Sequence, residues 1–308
     1  MPRSLRRLPL AVALPLALLA ACGDAPPGDA PTSALVVVSP HPDDESILAA
    51  ETIHRLAAEP RRLVRVVYVS GGDRATVPGD CNGIPEAEKT ERIVALREDE
   101  TRAAWDVMAP GRDVPIAFVR GPDMGLVASS RLVDGRREDV LTPAGQGALE
   151  RAVAAASDVP ATVRSAIVIT ASLYDAHPDH RTAYHAARRA AESLARDRGV
   201  AVRLWSWIVH DEIRQPDPPI CCAGDVHWPA PGPRTDLAAL VDTSERPRPP
   251  APDLVEDVPS GSAIRSDALS RHVSQVVGWP PLCMPVYVPA FYDRWIEKIE
   301  EPFYEELF

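Results

Sequence analysis

Residues 34–45 read ALVVVSPHPDDE, and this stretch decides the fold. Ala34 to Ser39 is a short continuous apolar run, the pattern of a strand buried on both faces of a parallel sheet. It ends on Pro40-His41-Pro42-Asp43-Asp44-Glu45, after which a helical pattern runs from about Glu45 to Ala58. Outward from this unit the alternation repeats. Further strands are expected at Leu63 to Ser70, Val114 to Val119, Arg164 to Thr170 and Val202 to Val209. Helices are expected at Glu86 to Met108, Pro143 to Ser157 and His180 to Arg198. Strands alternating with helices predict an α/β, Rossmann-like fold: a mostly parallel open sheet with helices on both faces. Ligands of such sheets collect beyond the C-terminal ends of the strands. From Gln215 to Ser260 proline is dense and no period is visible, which predicts a long irregular excursion. Helices at Ser262 to Val276 and Asp293 to Leu307 are expected to close the chain.

The chain of 308 residues is 45% hydrophobic and 25% charged, a globular composition. Its formal net charge of −11 argues against non-specific nucleic-acid binding, which needs basic surface. At the N-terminus, Arg3, Arg6 and Arg7 precede an uncharged apolar run from Leu8 to Ala20, too short to span a bilayer and suited to a signal peptide. Leu19-Ala20-Ala21-Cys22 closes it like a bacterial lipobox. The expected organisation is therefore a signal peptide over 1–22 with lipidation at Cys22, a flexible tether over 23–33, and one domain over 34–308. That predicts an exported lipoprotein held at the cell envelope. An ordinary secretory signal containing a cysteine is the alternative. Export would favour disulfides among Cys81, Cys221, Cys222 and Cys283. Adjacent cysteines rarely bridge each other, so Cys81 and Cys283 are each expected to pair with one of Cys221 and Cys222.

Two clusters carry chemistry. His41 with Asp43, Asp44 and Glu45 sits where the first strand gives way to a helix. Asp175-Ala176-His177-Pro178-Asp179-His180 follows the fourth strand, again just before a helix. Helix capping alone would account for the first cluster. Two clusters on the same sheet edge supply enough nitrogen and oxygen for a catalytic Zn2+, which takes three protein ligands and keeps a position for water.

His41-Pro42-Asp43-Asp44-Glu45 together with His177-Pro178-Asp179-His180 resembles the LmbE/PIG-L family of metal-dependent N-deacetylases, over about Ala34 to Gln275. Gly71-Gly72-Asp73, Arg97-Glu98-Asp99-Glu100, Asp123-Met124-Gly125-Leu126 and His272-Val273-Ser274-Gln275 resemble smaller family elements. The resemblance implies His41, Asp44 and His180 as metal ligands and Asp43 as the general base. It implies His177 as oxyanion stabiliser or acid toward the leaving amine, oriented by Asp179. Arg97 and Asp123 match positions that hold sugar hydroxyls; a helix ion pair and a turn residue are their plainer readings. Some members carry a tyrosine two residues before the first histidine of the second motif. Here Asp175 occupies that position and Tyr174 precedes it, so that role is not carried over.

The resulting expectation is a Zn2+ hydrolase removing an N-acetyl group from an extracytoplasmic small-molecule or glycan substrate. Two alternatives stand beside it: a non-catalytic, lipid-anchored carbohydrate-binding protein, and a two-histidine, one-carboxylate Fe2+ oxygenase. The first would be expected to have lost a ligand or the base; the second normally uses an all-β host.

Overall fold

In a computed structural model the described residues are 30–74, 79–133, 136–175, 177–209, 252–257, 263–276, 278–284 and 300–308. The expected signal peptide, Cys22, most of the expected tether, Cys221, Cys222 and most of the proline-rich segment lie outside them. Strand β1 (Ser33–Ser39) is buried from Ala34 onward and pairs in parallel with β2 (Arg62–Ser70) on one side and β6 (Ser165–Ala171) on the other. Beyond β2 lies β3 (Ile116–Gly121), and beyond β6 lies β7 (Ala201–Trp207), all parallel. The chain thus winds outward from β1 in one direction and then restarts in the other. The switch point falls between β1 and β6, where an open α/β sheet opens a crevice.

The side chains of β1 divide between two cores. Leu35 and Val37 face a layer with α1 (Asp44–Leu48), α2 (Ala50–Ala57), α3 (Glu86–Met108) and α6 (Ile264–Arg271). Ala34, Val36 and Val38 face α4 (Pro143–Ser157) and α5 (Pro178–Arg198). A strand covered on both faces must be apolar at every position, which is why the run shows no alternation. Local chemistry sets the helix ends. Thr142 accepts from Gly145 N at the start of α4, with Pro143 in the first turn. His177 caps α5 ahead of Pro178, and Gly199, at φ 64°, ends it in the left-handed region. A short helix α7 (Val273–Val276) follows α6.

Four features differ from the sequence expectation. First, β4 (Val127–Val133) and β5 (Arg136–Leu141) form an antiparallel hairpin where no strands are expected. Asp139 of β5 is tied to Arg181 of α5 through a buried bidentate pair at 2.8 and 2.9 Å. Second, β8 (Leu254–Asp257) lies inside the segment expected to be irregular. Third, Glu300–Leu307 is a strand, β9, and not the expected helix; it pairs antiparallel with both β7 and β8. A glutamate-rich run has helical propensity, but here tertiary pairing outweighs it. β9 covers the open edge of β7, and Phe303 packs on Trp205 and Trp207. Glu301 accepts from Glu51 N, Thr52 N and Arg265, which locks the strand onto α2 and α6. Fourth, Cys81 and Cys283 are bonded to each other, not to Cys221 or Cys222. The loop after β2 and the turn at Pro280–Leu282 lie side by side, with Asn82 donating to Pro280 O, so the two cysteines meet directly.

Candidate active site

The turn after β1 is built by its own side chains. Ser39 Oγ is within hydrogen-bond distance of His41 O and Glu45 Oε2, both at 3.0 Å, and His41 N donates to Asp44 Oδ2 at 3.1 Å. Asp43 sits at φ 156°, ψ −24°, a conformation that costs an L-residue on the order of 1–3 kcal/mol. The surrounding contacts hold it there. Asp43 Oδ1 is 3.2 Å from Arg97 Nη2, while Arg97 also donates to Gly72 O at 2.7 Å and Pro42 O at 3.0 Å. Arg97 is 3% exposed, and these contacts turn its guanidinium onto Asp43 and the two loops.

Across the switch point, α5 delivers His180 to the same place. Asp44 Oδ2 lies 3.0 Å from His41 Nδ1 and 3.3 Å from His180 Nε2. Donors about 2.1 Å from a tetrahedral cation stand about 3.4 Å apart, so this trio has the spacing of a metal triad. The three ligand atoms all lie within 4.8 Å of one another. His41, Asp123 and His177 satisfy the same limit and share His41 with the first group.

The charge balance also suits a dication. Asp43, Asp44, Asp123, Asp175 and Asp179 are all buried, and the guanidinium of Arg97 is paired with Asp43. Burial lowers the basicity of His180, but the Asp175 and Asp44 carboxylates outweigh it and push its pKa up to about 9. Burial likewise opposes the charge on His41, yet Asp123, Asp179 and Asp44 raise it well above the ordinary value. Burial raises Asp43 to about 7, with Arg97 opposing. Asp44, despite burial, is held well below the carboxylate range by His180 and His41. Burial lifts Glu45, bonded to Ser39, to about 8.

The structure brings every sequence-derived site residue of the two motifs together, but divides the work around His177 differently. It is the backbone amide of Asp179 that donates to His177 Nδ1, at 3.2 Å. The Asp179 carboxylate instead lies 3.4 Å from His41 Nε2 and accepts from Met124 N at 2.8 Å. This follows from the cap: His177 precedes the first turn of α5, so its ring folds back over the amide of Asp179, while the Asp179 side chain points across the sheet edge. Asp123 Oδ1 is also 3.4 Å from His41 Nε2, and its Oδ2 accepts from Arg74 N.

Sequence reasoning assigned Asp175 no role. In the fold its carboxylate accepts from His177 N, His180 Nδ1 and Val209 N. The available signal was a carboxylate five residues before a ligating histidine, at the same loop. Gly72, part of the Gly71-Gly72-Asp73 element, gains a reason in the fold that the sequence does not show. Its φ of +61° and its contact with Arg97 require a residue without Cβ. His272 is buried, with Nε2 3.1 Å from Ser46 Oγ, and Ser274 donates to Glu100. Trp205 and Trp207 belong to the core.

A family model described as GlcNAc-PI de-N-acetylase, PIG-L, matches residues 36–191, from β1 into α5, which is half of the chain. The 1D-myo-inositol 2-acetamido-2-deoxy-alpha-D-glucopyranoside deacetylase of Geodermatophilus obscurus is 27% identical over 263 residues, covering 80% of this chain and 84% of that one. Among solved structures, the 4-carboxy-2-hydroxymuconate hydratase of Pseudomonas putida is similar with a TM-score of 0.49 and 18% identity, over 90% of this chain and 95% of that one. The N,N'-diacetylchitobiose deacetylase of Pyrococcus horikoshii is similar with a TM-score of 0.45 and 17% identity, over 89% and 84%. The family match covers both motifs and the strands that carry them, and on that ground this chain belongs to the PIG-L family of metal-dependent N-deacetylases.

Proposed function

We propose that the protein is a zinc-dependent hydrolase that removes the N-acetyl group of an N-acetylglucosamine-containing substrate at the cell envelope. The observation that carries this reading is the His41–Asp44–His180 triad at the β1/β6 switch point, with Asp43 next to it in the chain. Two nitrogens and one oxygen suit Zn2+, with Fe2+ as the alternative occupant. When bound, such an ion polarises a carbonyl and makes water more acidic.

The chain's own residues do the rest. Asp43, raised to about 7 by burial, takes the proton from the attacking water. Arg97, anchored on two loop carbonyls, keeps the Asp43 carboxylate in place. His177 accepts at Nδ1 from the Asp179 amide, so its Nε2 carries the hydrogen. That N–H stabilises the oxyanion, and the proton that Asp43 took from the water passes to the departing amine. Asp179 and Asp175 back the two ligating histidines, a second layer that fixes ring orientation.

The substrate class rests on the family description and on the relative named above, both of which concern acetamido sugars carried on inositol. The envelope location rests on the N-terminal signal pattern and Cys22. The Cys81–Cys283 bond supports it, because such bonds persist in oxidising compartments. Acetate release from N-acetylglucosamine derivatives by zinc-loaded protein tests the activity. Asp43→Ala should lower kcat by about 10²–10⁴-fold while zinc content stays at the wild-type level. A metal-replete protein that cleaves no N-acyl substrate would end the deacetylase reading for this chain.

A further inference from the structure

We propose that Asp175 is a positioning residue of the metal centre, fixing the tautomer of His180 and the placement of His177 from one buried side chain. The inference rests on the reading of His180 as a metal ligand. Asp175 is 1% exposed, and both of its oxygens are engaged. Oδ1 accepts from His177 N at 2.8 Å; Oδ2 accepts from Val209 N at 2.8 Å and faces His180 Nδ1 at 3.0 Å. Its backbone is pinned as well, since Asp175 N donates to Ser172 O and Arg181 Nη1 donates to Asp175 O.

A carboxylate only accepts, so with an ion bound the single hydrogen of His180 would reside on Nδ1, leaving the Nε2 lone pair on the side of Asp44 for the ion. With both oxygens held by backbone amides, the carboxylate cannot turn to suit a flipped ring. The same side chain sets the amide of His177 and therefore the start of α5, so the ligand and the oxyanion stabiliser of the second motif are registered to one group. Val209 belongs to the chain just beyond β7, so the anchor spans the ends of two neighbouring strands.

Asparagine at 175 keeps the shape and breaks the arrangement. With its oxygen toward His180, its NH2 confronts the His177 amide, donor against donor. With the amide turned over, the NH2 confronts Val209 N–H and forces His180 to accept at Nδ1, which places the hydrogen on the metal-facing nitrogen. Either way zinc affinity should fall ten- to a hundredfold, the range seen when an outer carboxylate of a metal site is removed.

The test is zinc affinity of the full-length chain by chelator competition, for wild type, Asp175→Asn and His180→Ala. The expected result is a ten- to hundredfold weaker dissociation constant in D175N and loss of zinc in H180A. Wild-type affinity in a folded D175N, even with a lowered Tm, overturns the proposal and leaves the metal centre standing. Wild-type affinity in H180A overturns the metal-centre reading and this proposal with it. A second measurement needs no variant: long-range 1H–15N correlation of zinc-loaded wild type should show His180 protonated at Nδ1. A hydrogen on Nε2 there refutes the proposal even if D175N fails to fold.

Discussion

Gly72→Ala perturbs Asp43, the proposed base, without touching it. A Cβ at residue 72 would lie 1.6 Å from Arg97 Nη1 and 2.4 Å from Arg97 Cζ, so the guanidinium must leave its position. Two costs follow. Alanine at φ +61° costs about 1–2 kcal/mol of stability from the backbone alone. Displacing Arg97 breaks its contacts with Asp43, Gly72 O and Pro42 O, which leaves the Asp43 carboxylate buried and unheld. Breaking a buried pair costs about 3–5 kcal/mol when nothing replaces the partner. A base misplaced by about 1 Å loses on the order of 10²-fold in rate. Gly79→Ala is the control, because Gly79 has φ +90° and nothing within 4 Å of its added Cβ. It should cost stability from backbone strain and leave kcat intact. Release of free amine from an N-acetylglucosamine derivative, read with urea midpoints for both variants, separates the two effects. In an Arg97→Ala background, Gly72→Ala should cost no further activity. A G72A enzyme with wild-type kcat, or a G79A enzyme equally impaired, would refute the idea that Gly72 acts through Arg97.

Other consequences are simpler to state. Burial, with Arg97 nearby, lowers the pKa of His272 to about 3, so it is neutral when folded and takes up a proton below about 6.5 when unfolded. The unfolded state then binds more protons as pH falls from 6.5 toward 3, and this group's contribution declines by about 1.4 kcal/mol per unit, about 2 kcal/mol by pH 5. Contributions from Asp43 and Glu45 of the opposite sign cancel when wild type is compared with His272→Gln, so the difference in urea midpoint between pH 7 and pH 5 isolates the histidine; equal pH dependence in both proteins refutes the assignment. The Cys81–Cys283 bond joins residues 202 apart, and replacing both cysteines by serine should cost about 2–5 kcal/mol in an oxidising buffer. Unchanged thermal stability in that variant would show that the bond does not hold the two segments together.

Much of this architecture is written in local pattern. The strands β1, β2, β6 and β7 announce themselves as apolar runs because both faces are covered. Helices α3 and α4 begin and end where expected, since proline and threonine mark their starts. That His41, Asp44 and His180 would meet was legible because they lie in two short motifs, each at a strand end. What stayed hidden depends on partners distant in sequence. β9 reads as helix until β7, about a hundred residues earlier, offers an open edge for Leu307 to pair with Arg203. The β4–β5 hairpin depends on Arg181, about forty residues later, for its buried anchor on α5. The disulfide could not be deduced from spacing, because the meeting of the two loops is a property of the fold.

The switch point explains why two motifs some 130 residues apart act as one site. β1 and β6 are adjacent and parallel, with Val38 opposite Thr170, so both C-terminal ends open on the same crevice. Thr170 Oγ1 donates to Val38 O across that boundary, tying the strands just below the chemistry. Each strand end then supplies one histidine of the proposed triad whose outer nitrogen faces a carboxylate of the second motif: Asp179 for His41 and Asp175 for His180. The second motif therefore orients the ligand of the first as well as its own. Loss of either aspartate should consequently weaken the whole triad, whereas two independent half-sites would each lose only their own histidine.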